Sequence, residues 1–286
     1  MTARANIFEA DRVSKVFATS RSLLARLVSP GDGVRAVDAV SLNVVEGEVL
    51  GIIGESGSGK TTLGFLLANL EPVSSGEIRF RSIPLGRMDR QQRNNFRRKV
   101  QVVFQDSSSA LNPRRTIGQA LKDSLRLGGA PADQRIAAAH DLLVSVGLSP
   151  DHAVRYPHQL SGGQRQRVGI ARALAMKPEV IVADEPVSAL DVSLQGQIIN
   201  LLMRLQAELN LTIILISHDI AVVRHTCHRI AVMYGGKLVE LGETSQVVDN
   251  PRHDYTRRLI AAIPKGLRQH AAATPQASPL GENVRA

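Results

Sequence analysis

The chain has 286 residues, 43% of them hydrophobic, enough for one large domain or for one domain carrying a subdomain. A single cysteine excludes an internal disulfide and fits a reducing compartment, and no run approaches the ~18 apolar residues that span a bilayer. The formal net charge is +9, densest from Arg79 to Lys99 ("RFRSIPLGRMDRQQRNNFRRK"), but aromatic residues make up only 3% and Trp is absent. Without stacking aromatics or a recognition motif the charge reads as a solvated basic face, of the kind that lies near anionic lipid headgroups, and not as a nucleic-acid surface.

In chain order, "MTARANIFEADRV" meets acidic residues before any apolar stretch, unlike a secretory leader. Val40, Leu42 and Val44 alternate with polar neighbours, as in a half-buried strand. Glu46 to Glu48 turn the chain, and "VLGII" (Val49 to Ile53) reads as a strand buried on both faces. Beyond a glycine-rich stretch, Leu63, Leu66, Leu67 and Leu70 recur at helical spacing. "VQVVF" (Val100 to Phe104) is a further strand. Thr116 to Leu127 and Ala132 to Val146 read as helices with no strand between them, and "LSGGQ" (Leu160 to Gln164) opens a third helix to about Met176. "VIVA" (Val180 to Ala183) and "LTIILIS" (Leu211 to Ser217) are strands. Between them Leu194, Ile198, Leu201, Leu202, Leu205 and Leu209 mark one helix face. Strands alternating with helices imply an α/β sheet, interrupted by a helical insertion at about 106–177. Residues 266–286 are rich in Ala, Pro and Ser and read as a disordered tail.

Chemistry concentrates at the strand ends. Gly54-x-x-x-x-Gly59-Lys60-Thr61 fits the phosphate-binding P-loop between a buried strand and a helix. The candidate loop comprises Gly54, Glu55, Ser56, Gly57, Ser58, Gly59, Lys60, Thr61 and Thr62. Its glycines let successive backbone N–H groups turn toward phosphate oxygens, and the helix N-terminus adds its dipole. Lys60 would reach the β- and γ-phosphates, and the Thr61 hydroxyl can ligate Mg²⁺. Such a loop by itself leaves kinases, GTPases and many ATPases open. "VIVADEP" ends in Asp184 and Glu185 where a parallel strand delivers ligand-binding groups. Asp184 suits Mg²⁺, and Glu185 suits general-base work on an attacking water. In "LSGGQ", Ser161 can cap a helix at whose start Gly162, Gly163 and Gln164 expose N–H groups, a second phosphate-binding helix end; a plain capped helix would look the same.

"GESGSGKTT", "VVFQD", "LSGGQRQR", "VIVADEP", "SALD" and "ISHD" follow one another in this order. Together they resemble the ATP-binding subunits of ABC transporters over about Ile7 to Pro264. The resemblance implies a P-loop NTPase core with a mostly parallel sheet, an N-terminal antiparallel β subdomain and the helical insertion, all within residues 1–265. It implies ATP and Mg²⁺. It makes Gln105 a Mg²⁺- or water-contacting glutamine that senses the membrane subunit, and His218 a γ-phosphate contact. "SALD", ending in Asp191, would touch the opposite subunit. Phe17 in "VSKVF" would be the platform for adenine, with plain core as its alternative. Two such subunits associate head-to-tail, so that each ATP lies between one P-loop and the other's "LSGGQ" helix.

"ALNPRRTIGQAL", "PVSALDVSLQGQIINLL" and the closing "NPRHDYTRRLIAAIP" (about 250–264) narrow the resemblance to the oligopeptide and dipeptide import ATPases, which include nickel and glutathione importers. The implied partners are a second ATPase subunit, identical or different, two membrane permease subunits, and indirectly a solute-binding protein. The implied place is peripheral, on the cytoplasmic face of the plasma membrane. The usual closing His-Pro-Tyr-Thr is His253-Asp254-Tyr255-Thr256 here, one rigid turn residue fewer. Relatives with a C-terminal cysteine cluster carry an apparent iron–sulfur site. This chain has only Cys227, so no cluster is expected; it reads as a buried helix-end cysteine, with a metal site shared with His225 and His228 as the alternative. The competing functions are a non-transport ATPase of a multi-enzyme assembly, as in phosphonate metabolism, an importer of nickel or another small solute, and an exporter subunit.

Overall fold

A computed structural model describes residues 5–18, 33–105, 111–188 and 190–262. The proposed tail at 266–286 and part of the stretch after Gln105 lie outside them. Two sheets form the frame. Strands β1 (Asn6–Ala18), β2 (Gly33–Val45), β4 (Ser75–Phe80) and β5 (Ile83–Pro84) make an antiparallel sheet in the order β2-β1-β4-β5. Strands β3 (Val49–Ile53), β6 (Val100–Val103), β7 (Val180–Asp184), β8 (Thr212–Ile216), β9 (Arg229–Tyr234) and β10 (Lys237–Glu243) make the second, in the order β10-β9-β3-β8-β7-β6. Pairing is parallel from β9 through β6, and only β10 runs antiparallel to its neighbour.

The uninterrupted apolar runs in β3, β7 and β8 follow from having two cores to serve. Successive side chains of a strand point to opposite faces. Leu50 and Ile52, with Val180, Val182, Ile214 and Ile216, join a core shared with the antiparallel sheet and with helix α1 (Lys60–Leu67). Val49 and Ile53, with Ile181, Ala183, Ile213 and Leu215, join a second core built with the other helices. Every residue of the three strands is buried in consequence. In the first core Phe8, Phe80 and Phe96 meet at centroid distances of 5.1 and 6.3 Å, with Phe96 edge-on to both partners.

Between β6 and β7 the described residues carry helices α3 (Ile117–Leu127), α4 (Arg135–Ser145) and α5 (Gly162–Leu174), and no strand. Thr116 and Gln119 cap α3 reciprocally, which sets its start one residue after the expected position. Helices α6 (Val192–Leu209), α7 (Ile220–Thr226), α8 (Thr244–Asp249) and α9 (Asp254–Ala261) complete the described chain. None of the described helices is long and apolar enough to cross a membrane.

Two sequence expectations need correction. Leu70 falls in phase with the apolar stripe of α1, but that helix stops at Leu67; Asn69 adopts φ +53° and Leu70 is left exposed. The basic stretch is not uniformly solvated. Its helix α2 (Arg90–Lys99) buries only Phe96, yet Arg81 bridges Glu46 (2.7 Å) and Glu179 (2.9 Å), and Lys99 joins the same Glu179 (2.7 Å). These ion pairs tie the ends of β2 and β4 to Glu179, just before β7.

Cys227 ends α7 in the core, and burial pushes its thiol pKa up to about 12. His228 is committed elsewhere, its Nδ1 accepting the Val49 N–H at 2.9 Å. Among the described residues no group of three or more His, Cys, Asp or Glu is placed to hold a metal. Because the thiolate is the reactive form, Cys227 in the native chain should react with a disulfide reagent at least ~100-fold more slowly than after denaturation. Rapid native labelling, followed by absorbance of the released thiol, would contradict that burial.

Candidate nucleotide-binding site

The loop from Gly54 to Gly59 leaves the end of β3 and enters α1. Gly54 has φ +150°, and a Cβ there would lie 2.2 Å from the Met233 carbonyl oxygen. Gly59 is the N-cap of α1 with φ +100°, and its Cβ would lie 2.2 Å from the Ala36 carbonyl oxygen. Only glycine tolerates both the dihedral and the approach. From outside, the Gly236 N–H donates to the Ser58 carbonyl (3.1 Å), and the Glu55 N–H donates to Tyr255 Oη (2.8 Å). Within the loop the first turn of α1 receives no side-chain cap. Its uncapped N–H groups and positive dipole end make a place for an anion. The buried Ser58 hydroxyl also lacks a partner.

Lys60 is buried, and its Nζ donates to the carbonyl oxygens of Gly54 (2.9 Å) and Glu55 (2.8 Å). Burial holds its pKa below the ordinary lysine value, while the carboxylates of Glu185, Asp184 and Glu55 pull it back up. Asp184 is the last residue of β7 and is buried. Its Oδ1 accepts the Thr61 hydroxyl at 3.0 Å. Burial raises its pKa; the Thr61 hydrogen bond opposes the rise, Glu185 adds to it and Lys60 opposes it. Glu185 sits in the left-handed region at φ +44°, an uncommon place for a non-glycine residue, with its N–H held by the Ile216 carbonyl of β8 (3.0 Å). That backbone turn sets its carboxylate 3.2 Å from Nδ1 of His218, which follows β8. Lys60, Thr61, Asp184, Glu185 and His218 thus converge at the C-terminal ends of three neighbouring parallel strands, β3, β8 and β7.

The remaining candidates stand at the margin or on other elements. Ser56, Gly57 and Thr61 are exposed in the loop and Thr62 half-exposed. Gln105 lies exposed just beyond β6, the strand next to β7. Phe17 is 39% exposed on β1, and the Lys15 ammonium lies 4.9 Å from its ring centroid. The plain-core alternative for Phe17 is therefore wrong: the ring packs on the surface, with a cation at 4.9 Å. Ser161 and Gln164 form a reciprocal cap at the start of α5, and Gly162 and Gly163 abut Leu190 and Leu194. Those neighbours follow Glu185 in sequence and are not part of the loop. Asp191 caps α6 through the Leu194 N–H, and that bond, with the Ser193 hydroxyl, holds its carboxyl below the usual range.

Sequence reasoning missed the outer wall of the loop. It consists of Met233 and Gly236 in the β9–β10 hairpin, Ala36 in β2, and Tyr255 in α9. The double glycine of "YGGK" signals the hairpin turn, with φ +55° at Gly235 and +80° at Gly236, but nothing in it announces contact with a segment so distant in the chain.

A strand–glycine loop–helix phosphate cradle beside an Asp-Glu pair and a histidine, with a helical insertion, defines a P-loop ATP-binding cassette. The sequence profile of the ABC transporter family matches residues 37–188, just over half the chain. The chain belongs to the ABC transporter family. It is 46% identical over 247 residues to the oligopeptide transport ATP-binding protein OppF of Bacillus subtilis, covering 85% of this chain and 81% of that protein. To the oligopeptide transport ATP-binding protein AppF of the same organism it is 46% identical, covering 90% and 78%. With the glutathione import ATP-binding protein GsiA of Escherichia coli O157:H7 it shares 50% identity over 232 residues, which are 81% of this chain and 37% of that longer protein. Among solved structures, the dimeric cassette MJ0796 in a post-hydrolysis state with ADP and Pi is 31% identical, with a TM-score of 0.70 over 83% of this chain and 98% of that one. The cassette cbiO1 of Clostridium perfringens, part of a transporter complex, is 27% identical with a TM-score of 0.74, over 92% and 98%.

Proposed function

We propose that this chain is the ATP-hydrolysing subunit of an ABC importer, coupling ATP binding and hydrolysis to uptake of a solute of the peptide class through separate permease subunits. The observation that carries the ATPase reading is the convergence of Lys60, Thr61, Asp184, Glu185 and His218 on one strand edge. The peptide class rests on the likeness to oligopeptide and glutathione importers over most of the chain. Residues 1–265 form the cassette in this reading, with the insertion at about 106–177.

The ATP phosphates lie over the start of α1, against the uncapped N–H groups and the Ser58 hydroxyl. Lys60 keeps the Gly54 carbonyl and turns its remaining ammonium protons to β- and γ-phosphate oxygens. Thr61 and Asp184, with Gln105 at the margin, fit a Mg²⁺ ion: three carboxylates beside a polyanion site leave Lys60 too little positive charge by itself. When bound, that ion neutralises charge on the phosphate oxygens. Glu185 accepts the proton of the attacking water, and His218, whose Nδ1 lies 3.2 Å from it, reaches for the γ-phosphate. Ser161 to Gln164 and Asp191 serve the partner's nucleotide, as Ser161 and Gln164 cap α5 and the loop's own wall is made by other elements. Dimeric states of a similar cassette support that pairing. A donor set from a second subunit excludes water and stabilises transferring charge. Phe17 offers adenine its partly exposed ring.

The permease docks, in this proposal, along Gln105 to Ile117. Beside it a cavity of about 190 Å³, lined by Phe104, Leu127, Arg172 and Met176 among others, opens between β6 and the helical insertion. Phe104 and Leu127 are exposed on its rim. The subunit then works peripherally at the cytoplasmic membrane face, with the solute-binding protein as an indirect partner. With Cys227 buried, a cysteine at the exposed Arg114 is the one accessible thiol among the described residues. Arg114→Cys should cross-link to a permease subunit in membranes, and the chain should co-purify with two such subunits and MgATPase activity. Isolation with soluble enzymes and no permease would overturn the import reading in favour of a non-transport ATPase.

A further inference from the structure

The peptide unit between Gly54 and Glu55 is gripped from both sides. Its carbonyl oxygen accepts the Lys60 ammonium at 2.9 Å, and its N–H donates to Tyr255 Oη at 2.8 Å. In a trans peptide these groups point in opposite directions, so fixing the N–H fixes where the carbonyl aims. Gly54 itself lies in a region that only glycine occupies freely, so its own dihedral preference does little to hold this plane. Tyr255 does not wander either. It is almost completely buried, stacks on Tyr234 at 4.2 Å between centroids, and begins α9 with its N–H on His253 Nδ1 (3.1 Å). The turn before it is pinned to β10, where the Glu240 carboxylate accepts the N–H groups of Arg252 (2.9 Å) and His253 (3.1 Å).

We infer that Tyr255 is a positioning residue for the phosphate-binding lysine: its hydroxyl orients the Gly54–Glu55 peptide, and that peptide's carbonyl aims Lys60 at the nucleotide. The C-terminal segment from Arg252 to Tyr255 thereby becomes a structural part of the phosphate site. The inference rests on the reading of the Gly54 loop as the ATP site.

Tyr255→Phe keeps the ring, the stack and the burial, and removes the one oxygen. In the full chain with MgATP, KM for ATP should rise about 3- to 10-fold, the range of one neutral hydrogen bond, while kcat changes less than about twofold. The Glu55 amide should exchange with solvent at least ~10-fold faster, the amides of β3 staying protected, and the thermal midpoint should fall by no more than about 4 °C. Lys60→Ala, measured alongside, separates the two layers. If Lys60→Ala loses ATP but Tyr255→Phe leaves KM and Glu55 exchange unchanged, the positioning role is wrong. A fall in midpoint with kcat lost and KM constant would likewise reduce Tyr255 to packing. If Lys60→Ala binds ATP as the wild type does, the site reading itself fails.

Discussion

Glu185→Gln should lower ATP turnover at least ~100-fold while ATP affinity stays within about twofold of wild type. The substitution is nearly isosteric, and glutamine can occupy the same left-handed backbone position at the end of β7, held by the Ile216 carbonyl. The approach to His218 can be kept, since the amide oxygen can sit where a carboxylate oxygen lies 3.2 Å from Nδ1. What disappears is the basicity needed to take a proton from water. The loss falls on the chemical step, and because Lys60, Thr61 and Asp184 are untouched, nucleotide binding persists. One of the three carboxylates crowding the phosphates is also neutralised, which favours the polyanion slightly. A subunit that binds ATP but does not cleave it should remain paired. Size-exclusion chromatography with ATP and Mg²⁺ should therefore show a stable dimer in the variant, beside steady-state turnover near background. A variant that hydrolyses normally, or that elutes only as monomer, removes Glu185 from the proposed role.

Lys60→Ala acts on the earlier step. It should weaken ATP binding by about 10- to 150-fold, the span of a charge-assisted hydrogen bond, and bring turnover to background. The ammonium is buried and already dehydrated, so the phosphate meets a charge whose desolvation was borne on folding. Its present acceptors, the carbonyls of Gly54 and Glu55, belong to the loop itself. With the Gly54 carbonyl holding one ammonium proton, the others can reach phosphate without a large movement of backbone. Removing Lys60 also takes away one of the groups holding the Asp184 pKa down, so that carboxyl should titrate higher still. Lys60→Arg should not restore function, since a planar guanidinium does not fit a pocket shaped for a point charge. Isothermal titration with a non-hydrolysable ATP analogue checks the affinity; wild-type affinity in the alanine variant excludes Lys60 from phosphate binding.

Much of the site was legible because its chemistry lies close along the chain. Gly54 and Gly59 could be read as a phosphate loop since glycine is costly at a strand end unless dihedral and approach demand it, and the Met233 and Ala36 carbonyls impose that demand. Asp184 and Glu185 could be placed at a strand's end because "VIVA" is apolar without a break, the mark of burial on both faces. Ser161 declared a helix start through its spacing to Gln164, whereas the caps at Thr116 and Asp191 appear only in the structure. Periodicity misled at Leu70, where an apolar residue falls in phase beyond a helix that Asn69 has already ended.

Taken by itself, the sequence determined the local vocabulary of this protein: which runs become buried strands, where helices begin, and which short segment must curl around an anion. Those outcomes depend on dihedral preference, capping and hydrophobic period, all of which act within a few residues. The fold alone decided who meets whom. Thr61 reaches Asp184 across 123 residues because β8 lies between β3 and β7, an order absent from the sequence. Glu55 meets Tyr255 across 200 residues only because the β9–β10 hairpin carries the closing segment back over the loop. An apolar run records that a strand is covered on both sides but not by which partners, and that choice is made by packing the whole chain at once.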